Sequence, residues 1–118
     1  MLVTGAAQGI GEAAARLMAN RDVAGLALVD RNRDRLDQVA AELAATGCRV
    51  EPIVADLATV GEATEAVDVA VGRLGTLHGV VNAAGITDRG GIDDTSPELF
   101  DRIFAVNTRA PFFIIQRA

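Results

Sequence analysis

The stretch TGAAQGIG, Thr4 to Gly11, sets Gly5, Gly9 and Gly11 close together behind the short apolar run MLVT. Lacking Cβ atoms, such residues let a backbone approach a phosphate group closely. A helix opening just after them would add unpaired N–H groups and a partial positive charge. In that reading Gly5 permits a tight turn, Gly9 the close approach and Gly11 the packing of helix on strand. The spacing is G-x3-G-x-G rather than the G-x-G-x-x-G of the usual dinucleotide fingerprint, and on its own it fits a structural turn as well. Asp30, about twenty residues on at the end of a second apolar run, adds a carboxylate where ribose hydroxyls could donate to it. Hydrogen bonds to a charged group are worth roughly 1.5–3 kcal/mol. That carboxylate would repel a 2′-phosphate and so favours NAD over NADP, with Arg31 beside it softening the repulsion. Its plainer reading is a helix cap or a solvated turn acid.

Farther along, Asn107 precedes Pro111 by four residues. Proline has no N–H to give to the Asn107 carbonyl, so a helix over 97–118 would bend there and leave a carbonyl free to hold a water. A kinked packing helix without chemistry fits the same pattern. The inventory of absences is as informative. The 118 residues contain no Tyr, Trp or Lys, one serine (Ser96), one histidine (His78) and one cysteine (Cys48). No phenol or lysine amine is available here as a proton donor. One cysteine excludes a disulfide framework and suits a reducing compartment. A net charge of -5 with scattered arginines argues against a nucleic-acid surface. No run is long enough to span a membrane and Met1 opens straight into a strand, which makes a cytoplasmic location the expectation. No metal site is expected.

The elements that would position these groups follow from periodicity. Residues 1–4, GLALVD (25–30), VEPIVAD (50–56) and LHGVVNAAG (77–85) read as strands, Pro52 placing the third at an edge or at its own beginning. Helix stripes alternate with them. Ile10, Ala13, Ala14, Leu17 and Met18 form the first; Leu36, Val39, Ala40 and Leu43 the second; Ala63, Ala66, Val67, Ala70, Val71 and Leu74 the third. Gly47 and Gly75 end the second and third helices. After the polar stretch 87–96, Ser96 caps a helix whose first residue is Pro97. Strict β–α alternation predicts one α/β domain over 1–118, a Rossmann-like, doubly wound parallel sheet of about four strands in the order 3-2-1-4, with helices on both faces.

With these residues in view, the chain resembles the N-terminal half of the short-chain dehydrogenases/reductases. TGAAQGIG is similar to that family's T-G-x3-G-x-G loop, VNAAG (81–85) to its N-N-A-G element, and AVNTRAPFF (105–113) to the helix carrying a catalytic Asn. The resemblance implies that Thr4, Gly5, Gln8, Gly9, Ile10 and Gly11 hold a pyrophosphate and that Asp30 reads the adenosine ribose. It implies that Asp56 and Leu57 flank the adenine, and that Asn82, Ala83, Ala84 and Gly85 line the cofactor. Ala83 stands where a second Asn is usual. His78 stands where Asp is frequent and is read as structural. Asn107 would hold a water in a proton relay to a catalytic Lys. The family's Ser and Tyr-x-x-x-Lys have no counterpart within these residues, so the domain is expected to be truncated before them.

The function expected is NAD-dependent hydride transfer to or from a small alcohol or carbonyl substrate, with no turnover by this chain alone. A nucleotide-binding module without chemistry and a non-functional truncated product are the alternatives. The fourth strand would lie at an exposed edge and PFFII (111–115) would lack a covering surface, which predicts marginal stability and self-association.

Overall fold

A computed structural model describes residues 1–21 and 23–118. The chain alternates strand and helix: β1 (Leu2–Thr4), α1 (Gly9–Ala19), β2 (Leu26–Asp30), α2 (Arg33–Ala44), β3 (Val50–Val54), α3 (Val60–Leu74), β4 (Val80–Asn82) and α4 (Pro97–Phe104). A π-helical turn (Ala105–Arg109) then leads into α5 (Ala110–Arg117). The four strands are parallel in the order β3-β2-β1-β4, as the alternation predicts. Pro52 lies on the edge strand β3, where its missing N–H costs no ladder bond on the outer side.

Successive residues of the central strands face opposite layers. Leu2, Ala27 and Val29 pack with α3 and with Ile114 of α5, while Val3, Leu26 and Leu28 pack with α1 and α2. Both faces of β1 and β2 are buried, which is why these strands are apolar without alternation. Helix α2 buries the predicted stripe, Leu36, Val39, Ala40 and Leu43. Helix α3 buries Ala63, Ala66, Val67 and Ala70 and ends at Gly75, whose φ of 86° is left-handed. Ser96 caps α4, its Oγ accepting from the Leu99 N–H at 3.2 Å.

Helix α1 corrects the sequence reading. Its buried face is Gly11, Ala15 and Ala19, whereas Ile10 and Leu17 of the expected stripe are 80% and 58% exposed. The physical reason is proximity. A Cβ on Gly11 would overlap the carbonyl oxygen of Gly5, so only a row of small side chains lets this helix press so near the sheet.

The proline bend takes a specific form. The helix does not break at Pro111. It widens into the π turn, in which the Ala110 N–H reaches the Ala105 carbonyl, and then resumes as α5.

Candidate cofactor site

Parallel register brings the sequence-predicted residues together. Thr4 is level with Val29 on one side and Asn82 on the other, so the carboxyl ends of β1, β2 and β4 open on one edge of the sheet. A cleft of about 290 Å³ lies there. From the predicted set, Gly5, Gln8, Gly9, Ile10, Asp30, Arg31, Asp56, Leu57, Ala83, Ala84 and Gly85 line it. Thr4, Gly11 and Asn82 stand behind the lining. Thr4 is buried, and its Oγ1 accepts from the Ala84 N–H at 3.2 Å, tying the glycine loop to the segment after β4.

Glycine loop and helix meet as the phosphate reading requires. Gly5 and Gly9 have φ of 66° and 58°, conformations that residues with a Cβ rarely adopt. A Cβ on Gly5 would come within 2.7 Å of Ala84 Cα, whereas one on Gly9 would meet nothing within 4 Å. Gly5 is thus packed against backbone, and Gly9 faces open space at the start of α1. The Gln8 side chain makes no cap bond, so it leaves the first N–H groups of α1 uncapped.

Asp30 sits at the end of β2 with both carboxylate oxygens engaged. Oδ2 accepts from the Ala7 N–H at 3.1 Å and Oδ1 from the Asn32 N–H at 3.0 Å. Asp56, after β3, accepts from the Ala58 N–H through Oδ1 at 3.0 Å, and its Oδ2 lies 3.8 Å from Arg102 Nη2. Glu12, in the first turn of α1, would set a negative charge close to any anion. Hydrogen bonds from Arg16 hold its carboxyl below the usual glutamate range against the opposing effect of burial, and Arg35 adds to the effect. Its charge is therefore matched by two guanidinium groups.

Asn107 does not line the cleft; its side chain meets the cleft-lining Ile86 from behind. Its Oδ1 accepts from the Ile86 N–H at 2.9 Å and its Nδ2 donates to the Ile86 carbonyl at 2.8 Å. The π turn is thereby fixed to the segment following β4. Exposed and outside the cleft lining, His78 lies in the loop before β4. Sequence reasoning missed Ala55, Ile86, Arg102 and Val106, which also line the cleft. Arg102 and Val106 are four residues apart on the helix carrying Asn107, a one-face spacing that was available as a signal.

The residues fit an adenine dinucleotide. Bare backbone N–H groups suit a diphosphate, a carboxylate suits a sugar, and the apolar Leu57 and Val106 suit a flat ring. Asn82 Oδ1 is buried without a hydrogen-bond partner among the described residues, an acceptor left over at this edge. A larger groove of about 1020 Å³ runs beside α4 and α5, but it is lined mainly by apolar groups and lacks the glycine loop. The site chemistry belongs to the smaller cleft.

Known proteins share this fold. The chain is 36% identical over 117 residues to a versicolorin reductase of Emericella nidulans, covering 99% of this chain and 44% of that protein. A Serratia marcescens short-chain dehydrogenase/reductase variant superposes with a TM-score of 0.94 at 34% identity, over 99% of this chain and 48% of the other. A Burkholderia cenocepacia short chain dehydrogenase solved in complex with NADP gives a TM-score of 0.94 at 36% identity, over 99% and 48%. The chain spans about half the length of the curated relatives it matches. The family model for short chain dehydrogenase matches residues 1–118 throughout. By sheet order, glycine loop and a family match over residues 1–118, the chain belongs to the short-chain dehydrogenase family.

Proposed function

We propose that this chain binds a nicotinamide adenine dinucleotide as part of an oxidoreductase that moves hydride between the cofactor and a small alcohol or carbonyl compound. The observation that carries the reading is the meeting of the α1 N-terminus and the Asp30 carboxylate in one cleft. When bound, the nicotinamide supplies the hydride donor or acceptor. In this reading the loop from Gly5 to Gly11 binds the diphosphate, Asp30 accepts from the ribose hydroxyls, and Asp56 with Leu57 borders the adenine. Asn107 offers its carbonyl, left without a proline N–H partner, to a water of a proton relay.

NAD is the cofactor proposed, on the charge of Asp30. The Burkholderia relative holds NADP and other similar structures hold NADPH, which supports the nicotinamide class but favours NADP over NAD, against the choice made on Asp30. Arg31 lines the same cleft and is the group that would favour a phosphate there. Calorimetric titration of the 118-residue chain with NAD and NADP tests both levels. Tighter binding of NAD is expected. A preference for NADP overturns the cofactor choice, and a folded chain that binds neither overturns the site.

Turnover is a separate matter. The chain has no Tyr and no Lys, and loss of a general acid typically removes ~10²–10⁴ in rate. A panel of alcohols and ketones is expected to give no turnover with these residues alone. A second reading is a nucleotide-binding unit without chemistry. Measured reduction of a carbonyl compound by the chain would exclude it.

A further inference from the structure

We infer that Asp30 is a positioning residue that shapes the phosphate loop through the Ala7 N–H, in addition to any part in reading the sugar. The inference rests on the proposed dinucleotide site for its effect on binding, but not for its effect on the loop. Residues 5–8 connect β1 to α1, and among the described residues the carboxylate of Asp30 is the one side chain that hydrogen-bonds to them. The bond is 3.1 Å long, and Ala7 is only 1% exposed, so water is poorly placed to replace the acceptor. Next to it, the Ala6 N–H donates to the Val29 carbonyl at 3.2 Å, which anchors the loop to β2 by backbone alone. On either side lie Gly5 and Gly9 in left-handed conformations. Glycines hold such conformations only as firmly as their neighbours require, because they are equally free to leave them.

Asp30 is held in turn. The Asn32 N–H donates to its second oxygen at 3.0 Å, and Asn32 caps α2 by accepting from the Arg35 N–H. One carboxylate therefore links the start of α1 to the start of α2. A carboxylate has about four acceptor positions, so two oxygens that each accept one N–H keep capacity for two hydroxyls. Loop support and sugar recognition are compatible in the same side chain. Removal of the carboxylate leaves a buried N–H without a partner, and the cheapest relief is movement of the loop toward water. The N–H groups of α1 would then meet a diphosphate in a looser arrangement.

The test separates support from recognition with 2′,3′-dideoxyadenosine diphosphate, which keeps the diphosphate and lacks both sugar hydroxyls. If Asp30 acted on the sugar alone, Asp30→Ala would bind this probe as the parent does. The expected result is a loss of about tenfold or more, the range for a hydrogen bond to a charged group. Asp30→Asn keeps one acceptor for Ala7 and is expected to retain most of the probe affinity while losing affinity for NAD. Amide hydrogen exchange at Ala7 in the ligand-free chain is expected to quicken about tenfold in Asp30→Ala, measured against Leu28 in the same sheet. Should the alanine variant not fold, Asp30→Glu keeps the charge and displaces the oxygens, and it is expected to weaken the probe and speed Ala7 exchange. Unchanged Ala7 exchange in a folded alanine or glutamate variant overturns the inference. A parent chain that binds neither NAD nor the probe overturns the dinucleotide site, while the exchange measurement still decides the role in the loop.

Discussion

At the scale of single residues, the two left-handed glycines of the loop have different reasons to lack a side chain. Gly5 is confined: a Cβ there would lie 2.7 Å from Ala84 Cα, and φ is 66°. Gly9 is strained only by its φ of 58°, with open space around the missing atom. Gly5→Ala is therefore expected to lower stability by more than the ~1–2 kcal/mol that a left-handed alanine costs by itself. Gly9→Ala is expected to cost about that amount and to place a methyl where a phosphate would approach. Urea unfolding of both variants, with NAD titration of Gly9→Ala, checks the contrast. Equal losses of stability would contradict it. The glycine loop, Asp30 and Asn107 were legible in the sequence as candidates, through their spacing, their place at element ends and the family resemblance rather than through residue type alone. The pairing of Asp30 with Ala7 and of Asn107 with Ile86 was not, since both bonds end on backbone groups that every residue carries. Asp56 shows the same limit: its bond from the Ala58 N–H and its approach to Arg102 depend on where two loops and α4 meet.

At the scale of elements, helix α1 shows what periodicity can and cannot say. The larger apolar residues Ile10, Leu17 and Met18 mark a stripe, and a hydrophobicity pattern ranks that stripe above Gly11, Ala15 and Ala19. Distance decides otherwise, because the helix lies so close to Gly5 that only small residues fit beneath it. Helix α2 has no such constraint, and there the stripe and the buried face coincide. Ala15→Leu is expected to cost about 1–3 kcal/mol through overpacking, whereas Leu17→Gln is expected to stay within about 0.5 kcal/mol. Chemical denaturation of the two variants measures both, and a large loss from Leu17→Gln would put the buried face back on the predicted stripe. Between α1 and α2, Glu12 accepts from Arg16 and Arg35, and Arg16 also reaches Glu42. The Glu12 carboxyl is lowered, first by the Arg16 hydrogen bonds and then by Arg35. A lowered carboxylate contributes stability that is present above its unfolded range, near 4.3, and disappears as pH falls through its folded value. Glu12→Gln is thus expected to reduce the acid-dependent part of the unfolding free energy, seen as a smaller difference between neutral and acidic melts than in the parent. Arg16 and Arg35 are more than a third exposed, so screening keeps the effect small.

At the scale of the whole molecule, the chain exposes more than a compact protein of its size. Its accessible area is 6785 Å², against about 6,100 Å² expected for a monomer of this mass. The long axis is 49 Å beside two short ones of 25 and 21 Å. Along α4 and α5, Phe100, Phe104, Phe112 and Ile115 are exposed. Strand β4 has β1 on one side only, and all three of its residues are half-buried where β1 is fully buried. Sheet order was legible because β–α alternation permits few arrangements. The width of the apolar surface depends on how α4 and α5 continue one another through the π turn, which no local pattern specifies. We propose that a second copy of this chain covers the helical surface. The proposal rests on the row of exposed apolar side chains, since Arg117 is already paired with Asp68 and α4 carries Arg102 beside Glu98 and Asp101. Sedimentation at micromolar concentration is expected to show association that weakens in a Phe104→Glu/Phe112→Glu double variant. Both side chains are about half exposed or more, so their replacement leaves the buried residues of α5, Ala110 and Ile114, in place. A parent chain that sediments as a monomer and unfolds in one cooperative step at that concentration would show that the exposed face needs no partner.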